Sequence, residues 1–149
     1  MKLVGACFPA QQPIIPESLK HRIDIYYTCE LTEVERDAFS KVLVGLEQML
    51  KLDITIKPEL WVHVIFVGSP NLVFTLDADA GGSFAPFIMY PVYMWRASQY
   101  TKEQIILCMV EELCHCFWSI RDENRVKQKD IQFMKAMGLS LSWPKGHPF

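Results

Sequence analysis

The sequence predicts an α+β domain, and three observations carry that expectation. Two long amphipathic stretches each open on a capping box, Thr32 with Glu35 and Thr101 with Gln104. Residues 22–29 alternate apolar with polar, and residues 60–67 are apolar on both faces, so one half-buried and one central strand lie between and beside the helices. The order is strand, helix, three strands, then two helices, which places helical and strand elements in partly separate runs.

The first 20 residues contain Pro9, Pro13 and Pro16 and are expected to run extended over the surface. In the strand 22–29, Ile23, Ile25 and Tyr27 alternate with Asp24, Tyr26 and Thr28. From Thr32 the residues Val34, Ala38, Val42, Leu46 and Leu50 recur every four positions, giving a helix to about Lys51. Gly45 inside it costs up to ~1 kcal/mol relative to alanine and marks close packing on the sheet. After the central strand 60–67, residues 68–71 form a turn, 72–76 a short strand and 77–83 a loop. The stretch 84–95 is strand-like in composition, with Pro86 and Pro91 demoting part of it to an edge or an irregular run. The stretch 101–122 is read as the longest helix, and 124–137 as the last one, with Val126, Ile131, Met134 and Met137 on its apolar side and Gly138 as its cap. The tail after 139 is irregular.

With 149 residues, half of them hydrophobic and 21% charged, the chain suits a single globular domain over 1–149. A net charge of −2 without a basic run gives no footprint for nucleic acid. No apolar run reaches the ~20 residues of a membrane span. The apolar patch around Cys7 is too short for a leader and is interrupted by Pro9 and Pro13, and five cysteines, an odd number, fit a reducing compartment, so the cytoplasm is the expected location. Cys114 and Cys116 diverge on a helix and do not pair.

The chemistry concentrates in 101–122. Ile105, Ile106, Met109, Val110, Leu113, Cys116, Phe117 and Ile120 share one arc of the helical wheel, a core face. Glu111, Glu112, His115 and Ser119 share a second arc, closed on its far side by Leu107, Cys114 and Trp118. Acids and a histidine in apolar surroundings need a partner, and a metal ion is one. Glu111 and His115 stand at i and i+4, so both reach one point, with Glu112 beside them. The bland reading is a helix surface with two acids and a histidine. Asp122 and Glu123 likewise read as ordinary acids at a helix end. His63, between valines, reads as a satisfied core histidine, and Cys108 as a small buried residue.

The segment Glu111-Glu112-x-x-His115 resembles the active-site helix of zincin metallopeptidases, whose His-Glu-x-x-His motif binds zinc through two histidines and activates water through the glutamate. It is also similar to zincin-like bacterial proteins whose helix reads Glu-Glu-x-x-Gln. Glu111 stands where the first histidine belongs. Trp118 replaces the glycine and Arg121 the third ligand of the fuller pattern, and Asp122, one residue on, is then the expected third ligand. The resemblance implies a minimal zincin-like fold: a backing helix, a mixed β-sheet with an edge strand formed within 72–90, the active-site helix and a C-terminal helix. It implies a metal-dependent hydrolase acting on peptide or protein, with Glu111, His115 and Asp122 holding Zn²⁺ and Glu112 as general base. The carboxylate-rich set also admits Mn²⁺ or Fe²⁺. The alternative is a metal-free, inactive binding or structural module whose polar arc is held by ion pairs such as Arg121 or Arg96 with Glu111.

Overall fold

Both capping boxes form, and each fixes the start of a helix. In the computed structural model, which describes residues 2–56, 60–75 and 85–140, the Glu35 amide donates to Thr32 Oγ1 at 3.3 Å while the Thr32 amide donates to the Glu35 carboxylate at 2.8 Å. The same reciprocal pair joins Thr101 and Gln104. Each satisfies two backbone donors that a helix start otherwise leaves open, for about 1 kcal/mol.

The elements in chain order are β1 (Lys2–Leu3), a 3₁₀ turn (Glu17–Leu19), β2 (Ile23–Tyr27), α1 (Glu33–Leu52), β3 (Val62–Phe66), β4 (Phe74–Thr75), β5 (Phe87–Tyr90), α2 (Val92–Ala97), α3 (Lys102–Phe117) and α4 (Glu123–Ala136). The α+β class holds. Among the described residues the main sheet is parallel: β3 is central, with β2 and β5 on either side in the register Ile23–Val62 and His63–Phe87. Antiparallel pairing occurs only in a separate two-stranded ladder of β1 with β4 among the described residues. The region expected to form one edge wall is therefore divided. Its first part pairs with the N-terminal segment, β5 is the outer strand of the main sheet among the described residues, and the expected loop 77–83 lies within 76–84, outside the described residues.

Residues 92–97 form α2 rather than more strand. Pro91 removes a ladder donor and presets φ for a helix start, and the chain turns there. At 20 residues α1 is longer than α3, which has 16 and stops at Phe117 instead of running to Asp122. Arg96 of α2 grips the N-terminus of α1: its Nε and Nη2 donate to the two carboxylate oxygens of Glu35 at 2.9 and 2.8 Å, and Nη2 also reaches the Glu30 carbonyl. Burial alone would raise the Glu35 carboxyl, but the hydrogen bonds from Arg96 and Thr32 outweigh it and hold it below its ordinary range.

One core joins the sheet to α1, α3 and α4. Val62, Val64, Phe66, Ile88 and Tyr90 project from the sheet to meet Phe39, Val42 and Leu46 of α1 and Ile106, Met109 and Leu113 of α3. The expected shared packing of Val42 and Leu46 with α3 is found, whereas Val34 is 47% exposed, since it sits in the first turn outside the core stripe. The opposite sheet face holds a small cluster of Leu3, Ile65 and Val67. Gly45 does mark a close approach, but to α4 rather than the sheet: a Cβ there would lie 2.4 Å from Met137 Cγ and 2.8 Å from Phe133 Cε1. Along α4 the buried face is Val126, Asp130, Phe133 and Met134, while Ile131 is exposed. Gly138, with φ 69°, ends α4 in the left-handed region, as expected of a helix-stop glycine.

Candidate metal centre

The register of α3 is set by its apolar face, which docks on the sheet and α1. The Tyr90 hydroxyl, fully buried on β5, donates to the Met109 carbonyl at 2.9 Å and pins the helix two residues before Glu111. With that face turned inward, Glu111, Cys114 and His115 fall on the side of α3 that meets α4. Leu107 and Cys114, expected merely to border the polar arc, are buried.

Where α3 ends, the chain makes a tight turn. Trp118 closes the last turn by donating its amide to the Cys114 carbonyl, and Ser119 takes φ 52°, the left-handed region. The turn is anchored from outside: Trp118 Nε1 donates to Asp53 Oδ2 at 2.7 Å, and Lys129 pairs with the same oxygen while lying 4.5 Å over the indole ring. Hydrogen bonds from Thr55, Trp118 and Lys129 hold the Asp53 carboxyl well below the usual carboxylate range. The reversal at Ser119 aims the Ile120 carbonyl back at the helix, where His115 Nδ1 donates to it at 2.5 Å. A carbonyl only accepts, so the proton sits on Nδ1. In the neutral ring Nε2 then carries the lone pair, the usual arrangement of a metal-binding histidine.

What faces Nε2 differs by one residue from expectation. Asp122 does not turn in: it is the N-cap of α4, its Oδ1 accepting from the Arg125 amide at 2.9 Å. Glu123, the first residue of α4, stands there instead, with Oε1 3.8 Å from His115 Nε2. Glu111, His115 and Glu123 thus each offer a donor atom, and these atoms all lie within 4.8 Å of one another. Two donors bound tetrahedrally at ~2.1 Å stand about 3.4 Å apart, so the donors would draw together by up to about 1.4 Å around an ion. Glu123 also profits from the positive end of α4.

Glu111 is 93% buried (7% exposed), and its carboxyl is raised by that burial first, then by the charges of Glu112 and Glu123, with His115 and Lys127 opposing. No arginine pairs with it among the described residues. Arg96 is committed to Glu35, and Arg121 is exposed. Glu112 is exposed as a residue, yet neighbouring chain partly desolvates its carboxyl and raises it, with Glu123 adding and His115 opposing. Cys108 and Cys116 flank Glu112 one turn either side, and burial pushes both thiols up to about 11, so neither supplies a thiolate near neutrality.

Sequence reasoning missed two residues. Glu123 was read as loop chemistry, because the left-handed turn at Ser119 that shifts the register by one residue leaves no mark in the sequence. Asp130 is fully buried with neither carboxylate oxygen hydrogen-bonded, and the Cys114 thiol, a weak donor, is the polar group against it. Burial pushes the Asp130 carboxyl up to about 7, with Glu111 and Glu123 adding and Cys114 and His115 opposing. Its signal was an acid centred on the apolar stripe of Val126, Phe133 and Met134. His63, expected to be satisfied, has a buried Nδ1 with no hydrogen bond and Asp24 at 3.6 Å, its ring lying among Trp61, Phe87 and Tyr26.

No protein-family model, curated protein or solved structure matches this chain. No helix among the described residues is long and apolar enough to cross a membrane.

Proposed function

We propose that this protein is a metal-dependent hydrolase of the zincin-like kind, acting on peptide bonds, with Glu111, His115 and Glu123 as ligands and Glu112 as general base. One observation carries the reading: three donors from two helices converge within 4.8 Å while the ring nitrogen of His115 that faces away is fixed by the Ile120 carbonyl. A bound divalent ion would lower the pKa of a water and polarise a carbonyl. The donor set of one imidazole and two carboxylates fits Mn²⁺ or Fe²⁺ as well as Zn²⁺. Glu112, whose carboxyl is raised by partial desolvation, would take a proton from the water and return it to a leaving amine.

The test is metal content of protein purified without chelator, with thermal melts with and without EDTA. About one ion per chain and a melt lowered by EDTA are expected, as is a loss of hydrolysis of ~10²–10⁴-fold in Glu112→Gln with metal content retained. A metal-free protein whose melt ignores EDTA and added ions overturns the reading. That outcome favours a binding module, whose supporting observation is that Glu123 already stands 3.8 Å from His115 Nε2 and pairs with the ring when it is protonated.

A further inference from the structure

Among the described residues, Asp130 is the only fully buried acid with both oxygens left without a hydrogen bond. It lies seven residues after Glu123, which returns it to the same face of α4, the face turned to α3. Across the seam stand Glu111, Cys114 and His115, with Cys114 against the Asp130 carboxyl and the charges of Glu111, His115 and Glu123 within its reach. Its neighbours along α4, Val126, Phe133 and Met134, are apolar and buried. An apolar side chain of that size would fill the place at no electrostatic cost. The nearby cations are spent elsewhere: Lys129 is paired with Asp53, and Lys127 acts on Glu111. An acid buried this way is a cost that a cation in the seam offsets.

We propose that Asp130 is a fourth acidic member of the metal centre, a positioning carboxylate behind Glu111 whose buried charge strengthens the hold of Glu111, His115 and Glu123 on a divalent cation. The proposal rests on the metal reading above. Solvent does not dilute a charge at this depth, so it adds to the field at the ion without touching it. Carboxylates that stand behind metal ligands commonly set affinity by ~10–100-fold.

The experiment is calorimetric titration of Mn²⁺ and, separately, Zn²⁺ into chelator-stripped wild type, Asp130→Asn and Asp130→Ala, with metal-free melts of each. Asparagine keeps the shape and removes the charge. Alanine removes it without adding an amide that needs partners. The expected result is affinity lowered ~10–100-fold in both variants, while the metal-free melt of Asp130→Asn is unchanged or higher at pH 8. A purely structural acid would do the reverse, lowering the metal-free melt and leaving affinity unchanged, and that overturns the proposal while the metal centre stands. Wild type that takes up neither ion overturns both.

Discussion

The buried Asp130 makes the metal-free protein lose stability as pH rises, and the magnitude follows from its position. The carboxyl goes from an ordinary 3.8 to about 7 on folding, chiefly because burial penalises its charge. Between those values the folded chain keeps a proton that the unfolded chain has released. Stability is therefore full below pH ~4, falls as pH rises, and is lowest above ~7. Three pH units at ~1.4 kcal/mol each give about 4 kcal/mol, a large part of the ~5–15 kcal/mol that a domain of this size holds. Asp130→Asn cannot titrate and lacks this slope. The assay is urea unfolding of both proteins in EDTA at pH 4.5 and pH 8. The variant should gain on wild type by up to about 3 kcal/mol across that interval, since part of the unfolded-state titration lies below pH 4.5. Glu111 and Glu112, raised as well, push both proteins the same way, so the difference isolates Asp130. A difference that stays flat with pH refutes the burial of an unpartnered acid.

Other outcomes check the surrounding structure. Glu123→Gln should weaken Mn²⁺ binding at least ~10-fold, whereas Asp122→Asn, which preserves a good N-cap, should leave affinity and melting nearly unchanged; calorimetry on the pair decides which acid is the ligand. Gly45→Ala should destabilise by roughly 1–2 kcal/mol, because overpacking against Met137 and Phe133 at ~1–3 kcal/mol exceeds the ~1 kcal/mol gained in helix propensity; urea midpoints read it. Arg96→Met should cost about 3 kcal/mol by leaving Glu35 buried without its guanidinium, seen as a lowered melt at pH 7 that partly recovers at pH 4, where Glu35 takes up a proton.

What the sequence reveals is local, and what it hides depends on tertiary contacts. Thr32 with Glu35 and Thr101 with Gln104 are legible because capping is decided within four residues. The convergence of Glu111 with His115 follows from helical spacing, and their segregation from the core face follows from the apolar stripe. The end of α3 is not legible: Trp118 is apolar and helix-compatible, and only its bond to Asp53, far away in sequence, explains why the chain turns there. That turn moves the third acid from Asp122 to Glu123. Strand pairing is hidden for the same reason, since nothing in Lys2–Leu3 announces β4 as partner. Asp130 was visible as an acid on an apolar stripe, but its significance depends on α3 lying across it.

The central claim is that Glu111, His115 and Glu123 hold one divalent ion, and crystals of chelator-stripped protein soaked in Mn²⁺ test it most directly through anomalous scattering. The account predicts one anomalous peak about 2.1–2.2 Å from His115 Nε2 and from an oxygen of each glutamate, with Nδ1 still bonded to the Ile120 carbonyl. A map without that peak, in which His115 Nε2 bonds directly to the Glu123 carboxylate, contradicts it.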